Sequence, residues 1–331
     1  MRIVYVCPFA RIRTGGVKMI FRHVEMLRDN GLPAVVATPD ATPPTWFQTN
    51  APVIAVDDIV RGSDAIVLPE TRAEFLRQFA GWENRKVVFC QSTHLVYRGL
   101  GGAPDYSEFG VDAIICPSHA AANYCRRRFP GVDLFLVPYP LDTRLFRGSE
   151  PKRLQIAFMP SKRALEAAVI ADLFRAENPV FRSIPWIELA GFTETQMAQI
   201  LGETAVYLSL SRFDSFGLAT LEAMSCGCVV AGFTGFGGME YAASKNGFWA
   251  QEDDCFGCTD QLKRAVELAT RGGDQYRDVA EWAIKTAEQY SLERFKRRLL
   301  ATWETLTAGA FAAPSSLPDE ERALSSQSAG A

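Results

Sequence analysis

Residues 206–241, VYLSLSRFDSFGLATLEAMSCGCVVAGFTGFGGMEY, decide the fold. Residues 206–210 are a short apolar run of the length of a buried strand. Residues 211–217 are polar and turn-forming, and residues 218–224 have helical composition. Cys226-Gly227-Cys228 ends that helix, and residues 228–233 form a second buried strand before the glycines Gly235, Gly237 and Gly238. Two carboxylates flank the helix start, Asp214 before it and Glu222 in its second turn.

The same alternation of strand and helix extends outward from this stretch. Strands are expected at residues 2–7, 32–38, 64–69, 86–90 and 112–117, with helices at 17–30, 70–82 and 119–129. Prolines in residues 137–142 (VPYPLD) suit a linker. A second set follows, with strands at 154–159 and 186–190 and helices at 165–177, 193–201, 260–271, 275–290 and 291–307. Such alternation predicts parallel, doubly wound sheets. The expected units are 1–140, 141–307 with its last helix packing back on the first unit, and a tail at 308–331 whose Ala, Ser, Pro and Glu predict disorder. Ligands of such sheets sit at the carboxyl ends of the strands, here in a cleft between the two units.

Bulk properties restrict the function. The chain has 331 residues, 22% of them charged, and a net charge of −3, so no global basic field points to nucleic acid. Its apolar runs fall far short of the roughly 20 residues of a membrane span. The N-terminus reads as a first strand rather than a signal peptide, and a cytoplasmic protein is expected. Arg126-Arg127-Arg128 reads as a solvated basic helix or as a peripheral contact with the inner face of a membrane. The thiols of Cys226, Cys228, Cys255 and Cys258 raise the question of zinc, but C-x-C is not the usual knuckle spacing, and no metal is expected.

Gly15-Gly16 lies between a strand and a helix, where it is either a turn or a place for the backbone to approach a phosphate. It is not G-x-G-x-x-G, which removes the main support for a dinucleotide enzyme. The loop Asp214-Ser215-Phe216-Gly217 opens a second helix whose free N–H groups favour an anion, while Asp214 or Ser215 is also a ready N-cap. Glu222 stands among Leu218, Ala219, Leu221, Ala223 and Met224 and needs a partner, either sugar hydroxyls or a cation across the cleft. Lys162 and Arg163 follow a strand and suit a diphosphate. His94 sits at a strand end and is a candidate catalytic or acceptor-side group; Glu240 is either a helix cap or a ligand contact.

From Asp214 to Val230 the sequence DSFGLATLEAMSCGCVV resembles the retaining, GT-B-fold glycosyltransferases of family GT4 (glycosyl transferases group 1). Their signature is Glu, seven residues, then Glu. Gly15-Gly16, residues 137–146 (VPYPLDTRLF), Pro160-Ser161-Lys162-Arg163 and Gly237-Gly238-Met239-Glu240-Tyr241 are similar to further family segments. The resemblance implies a nucleotide-sugar donor held mainly by the second domain and an acceptor held by the first, without cofactor or metal; a growing glycan or a lipid-linked sugar would fit the open acceptor site that short first-domain loops leave. It implies that Glu222 binds the donor ribose and Asp214 the transferred sugar. Ser215, Phe216, Gly217 and Leu218 would meet sugar and phosphate, and Lys162, with Arg163, the diphosphate. The chain departs from the family in Asp214, which replaces the first glutamate, in Ser161, which stands where an arginine is usual, and in its short first-domain loops. Competing expectations are a nucleotide-sugar 2-epimerase and a catalytically weak nucleotide-sugar-binding protein.

Overall fold

The computed structural model describes residues 1–308. The tail expected from 308 onward therefore lies outside the described residues, except Ala308, which closes the last helix. The first sheet comprises β1 (Ile3–Val6), β2 (Ala34–Thr38), β3 (Val53–Ala55), β4 (Ala65–Pro69), β5 (Lys86–Phe89), β6 (Ala113–Cys116) and β7 (Asp133–Leu136). Its order is β3-β2-β1-β4-β5-β6-β7, parallel throughout. Helices α1 (Gly15–Asp29), α2 (Ala73–Phe79), α3 (Val96–Leu100) and α4 (His119–Arg128) connect these strands. The second sheet comprises β8 (Arg153–Phe158), β9 (Trp186–Glu188), β10 (Thr204–Leu210), β11 (Val229–Phe233) and β12 (Phe248–Ala250), in the parallel order β12-β11-β10-β8-β9. With it go α5 (Ala164–Glu177), α6 (Glu194–Glu203), α7 (Leu218–Ser225), α8 (Gly235–Gly238), α9 (Cys255–Arg271), α10 (Gly273–Glu288) and α11 (Leu292–Ala308).

Both sheets are covered on both faces, which is why their central strands are apolar without interruption. Ile3 and Tyr5 of β1 enter one core cluster, and Val4 and Val6 the other. In β10, Tyr207 faces the first of these clusters while Val206, Leu208 and Leu210 face a third. The cluster containing Ile3 and Tyr5 runs through the linker residues Val137, Tyr139 and Leu141 to Leu221 and Met224 of the second domain. One apolar core thus spans both sheets.

Helix α1 follows its apolar spacing: Val17, Ile20, Phe21, Val24 and Leu27 are buried, and Thr14 Oγ1 caps the first turn by accepting from Val17 N at 3.3 Å. The chain passes between the sheets twice, side by side, since Leu141 N donates to Tyr290 O at 2.8 Å. Helix α11 then returns to the first sheet. There the fully buried Trp303 donates from Nε1 to Tyr5 OH (3.3 Å), and Tyr5 OH lies 3.1 Å from His23 Nδ1. Burying an indole of this kind contributes about 3 kcal/mol or more. Among the described residues no helix is long and apolar enough to cross a membrane, and all eight cysteines are free thiols. Cys226 and Cys228 pack in the cluster of Tyr207, and Cys258 in that of Val206, so the two pairs face opposite sides of the second sheet.

Candidate active site in the cleft

Helix α7 is aimed by two glycine loops that touch. Gly217, its N-cap, has φ +77°, and Tyr241 OH donates to Gly217 O at 3.0 Å. Gly237 N donates to Asp214 O at 2.8 Å, and Phe236 N to Arg212 O at 2.8 Å. A Cβ on Gly237 would lie 2.3 Å from Phe216 N. That residue must be glycine so that α8 can lie against the loop that starts α7. Phe216 is buried between Tyr139 and Tyr290, at ring distances of 5.2 and 5.1 Å. Ser215 is also buried, and its hydroxyl has no hydrogen-bond partner among the described residues. A buried orphan hydroxyl at a helix start is what an external ligand would satisfy.

Glu222 faces a cavity of about 310 Å³ that Lys18, Arg22, Glu194, Leu218 and Phe295 also line. It is 7% exposed, and its carboxylate makes no hydrogen bond among the described residues. Burial pushes its carboxyl up to about 7; Lys18, across the cleft, opposes this, and Glu194 adds to it. Lys18 Nζ pairs with Glu194, and Arg22 Nη2 lies 3.8 Å from Glu194 Oε2. The first domain thus brings two cations to the mouth of the site. Neither Lys18 nor Glu194 stood out in the sequence. The one available signal was that Lys18 lies a turn beyond Gly15, on the polar face of α1.

Lys162 and Asp214 meet, Nζ to Oδ1 at 3.6 Å, both partly exposed. The adjacent Arg163, expected with Lys162 at the diphosphate, does not join them. Its side chain is fully enclosed and lies 4.3 Å over the Phe233 ring. Arg163 Nε donates to Ser211 O (2.9 Å), Nη1 to Asp253 Oδ1 (2.5 Å), and Nη2 to Glu252. Those bonds hold together the loops around β8, β10 and α9, and no donor is left facing the cleft.

Gly15 and Gly16 are the first two residues of α1. A Cβ on Gly15 would touch nothing, whereas Gly16 O accepts from Gln91 Nε2 at 2.9 Å. His94 is exposed, its ring 4.7 Å from that of Phe213 and 5.2 Å from that of Phe236, so it stands against the second domain. Glu240 reaches the other way, its Oε2 accepting from His119 N at 2.6 Å at the start of α4. Arg126 and Arg127 are exposed on α4, while Arg128 bonds Pro104 O. A groove of about 510 Å³ beside Trp282 contains none of these residues.

Residues 170–267 match the family model of glycosyl transferases group 1. An alpha-1,6-glucosyltransferase of Actinobacillus pleuropneumoniae serotype 7 (strain AP76) is 26% identical over 242 residues, covering 70% of this chain and 73% of the relative. This is a glycosyltransferase. Its two facing sheets form the GT-B fold. Sucrose-phosphate synthase from Thermosynechococcus elongatus superposes with TM-score 0.70 at 14% identity, covering 93% of this chain and 99% of that one. Anabaena Alr3699/HepE in complex with UDP-glucose also gives TM-score 0.70 at 14% identity, covering 92% and 100%. The matched family segment of the glycosyltransferase contains the whole of α7 and both glycine loops.

Proposed function

We propose that the enzyme transfers a sugar from a nucleotide-sugar donor to a glycan or lipid-linked acceptor with retention of anomeric configuration, in polysaccharide or glycoconjugate assembly. The observation that carries this reading is Glu222, a buried carboxylate with no hydrogen-bond partner among the described residues, in a cavity at the interdomain cleft, four residues into a helix whose start holds a hydroxyl likewise without a partner among them. Vicinal ribose hydroxyls supply two donors to such a carboxylate. In this reading the N–H groups at the start of α7 and Ser215 Oγ meet the phosphate-bearing end of the donor, and Gly15 and Gly16 allow it to approach α1.

The bond between the anomeric carbon and the phosphate oxygen breaks, a bond to the acceptor oxygen forms on the same face of the sugar, and the acceptor hydroxyl gives its proton to the departing phosphate oxygen. Lys162 and the α7 dipole take up the negative charge left on the diphosphate, so the step requires no metal ion. Asp214 accepts from a hydroxyl of the transferred sugar, its orientation set by Lys162. His94, at the first-domain edge of the cleft, stands on the acceptor side. Eight free thiols, seven of them buried, fit a reducing compartment such as the cytoplasm.

The test is a thermal-shift panel of nucleotide sugars, begun with UDP-glucose, followed by product analysis with neutral and charged glycan acceptors. A donor at one hundred times its Kd adds about 2.7 kcal/mol of apparent stability. If no nucleotide sugar raises the melting temperature, or if Glu222→Gln leaves donor affinity and turnover unchanged, the reading is wrong.

A further inference from the structure

The carboxyl ends of β1, β4 and β5 lie side by side in the first sheet, within about 10 Å of one another at ordinary strand spacing. The segments leaving them carry Arg11 and Arg13 (after β1), Arg72 (after β4) and, within α3, Arg98 (after β5). Two contacts show that these loops form one surface. The Arg72 guanidinium lies 3.9 Å over the Phe9 ring, joining the first loop to the second. A Cβ on Gly99 would lie 1.7 Å from Glu70 O, so α3 rests directly on the start of the second. His94, in the third loop, touches Phe213 and Phe236, which puts this surface beside the cleft.

The arginines are poorly neutralised. Arg11 pairs at 3.0 Å with Asp40, and Arg72 at 3.3 Å with Glu74, both exposed carboxylates. Among the described residues the Arg98 side chain donates only to Tyr97 OH (3.0 Å), and the Arg13 side chain has no ion pair or hydrogen bond. In a chain of net charge −3 this is a local excess of cations beside the cleft. Exposed pairs of this kind are weak and open readily to a better anion. Tyr97, 65% exposed, adds a ring face of the sort on which a sugar packs.

We propose that this rim binds phosphate on the acceptor, so that the enzyme glycosylates a phosphate-bearing sugar rather than a neutral one. The proposal rests on the glycosyl-transfer reading above. A carboxylate has two oxygens and is filled by a single guanidinium fork, whereas guanidinia arriving from three strand ends match the greater number of oxygens on a phosphate or diphosphate. The same chemistry is offered by a soluble phosphorylated glycan and by a lipid-diphosphate-linked sugar.

The experiment is calorimetric titration of the full chain, first saturated with UDP, with glucose, glucose 6-phosphate and a short prenyl-diphosphate-linked glucose. Both phosphorylated probes bind and glucose does not. Equal affinity for the two assigns a soluble phosphorylated acceptor, and tighter prenyl binding a lipid-linked one. The double variant Arg72→Ala/Arg98→Ala weakens the phosphorylated probes about tenfold or more, retains UDP affinity, and removes most of the salt dependence. Both side chains are at the surface, and an unchanged melting temperature confirms folding. Glucose binding as well as glucose 6-phosphate, or full phosphate affinity in the double variant, overturns the proposal. If UDP fails to bind the wild type, the donor reading fails on its own, and the titrations without nucleotide still decide the rim.

Discussion

Replacing Glu222 with Gln separates a ligand-binding carboxylate from a structural one. Glutamine keeps the size and shape of the side chain but cannot ionise, so it escapes the cost of holding a charge in the cavity. Burial raises the carboxyl from its ordinary 4.5 to about 7 in the folded protein. A folded-state value above the unfolded one stabilises only while the group is protonated. The contribution is complete below about pH 4.5 and is lost as pH rises through about 7. Relative to a neutral side chain the ionisable carboxyl therefore costs about 3 kcal/mol at pH 8 and less than about 1 kcal/mol at pH 5. Glu222→Gln is therefore expected to be more stable than wild type by about 3 kcal/mol at pH 8 and nearly equal to it at pH 5. Urea unfolding at the two pH values reads this directly, provided the slope is unchanged. Glu70, also pushed up to about 7 by burial, is present in both proteins and cancels in the difference. The same variant should lose the stabilisation that a nucleotide sugar gives the wild type, because the charged acceptor for the ribose hydroxyls is gone. A variant less stable than wild type at pH 8 would refute the reasoning, since it would mean that Lys18 compensates the charge within the fold and no ligand is needed.

The adjacent cations should behave oppositely. Arg163→Ala removes a fully enclosed guanidinium and leaves Ser211 O unpaired, lowering stability by about 3 kcal/mol in urea unfolding, whereas Lys162→Ala changes stability by less than about 1 kcal/mol but lowers kcat about a hundredfold. Gly237→Ala drives a methyl into the backbone of Ser215 and Phe216 and should cost about 2 kcal/mol or more while raising the donor Kd, measured by unfolding and titration. Ser215→Ala removes an unsatisfied buried hydroxyl, so stability should hold or rise by about 1 kcal/mol while donor affinity falls.

The central strands were legible because each is an uninterrupted apolar run that ends in a turn, as β4 (AIVLP) and β11 (VVAGF) show. Three strands escaped the reading: β3, β7 and β12. Each is an edge strand of three or four residues, mostly half-buried, and an edge neither needs nor shows a continuous apolar stretch. Helix α3 escaped for another reason. It has five residues and includes Gly99, a poor helix former that is required because the carbonyl of Glu70 lies against it. The helix expected at 70–82 shrinks to Ala73–Phe79 because Glu70 belongs to the strand end, where its buried carboxyl accepts from Ser92 N at 2.6 Å.

At the site, legibility follows separation along the chain. The glycine loops and Glu222 lie within a single stretch, and the loop contacts that hold α7 close inside it, so spacing alone could locate them. Lys162 and Arg163 are neighbours of the same charge, and nothing local says which turns inward. The choice is made by Glu252 and Asp253, whose carboxylates lie 89 and 90 residues downstream and take both terminal nitrogens of Arg163. The cross-cleft pairs are more distant still: Lys18 and Glu194 are 176 residues apart, and Glu240 meets His119 across 121. Glu240 shows the consequence. As a lone carboxylate after a glycine pair it suits a ligand or a cap equally, and only the position of α4 in the other domain makes it a cap. Residues whose partners lie within one supersecondary unit can therefore be assigned from the chain. Those that meet across the cleft depend on how the two sheets are set against each other, which the apolar core running through Val137, Tyr139 and Leu141 to Trp303 determines.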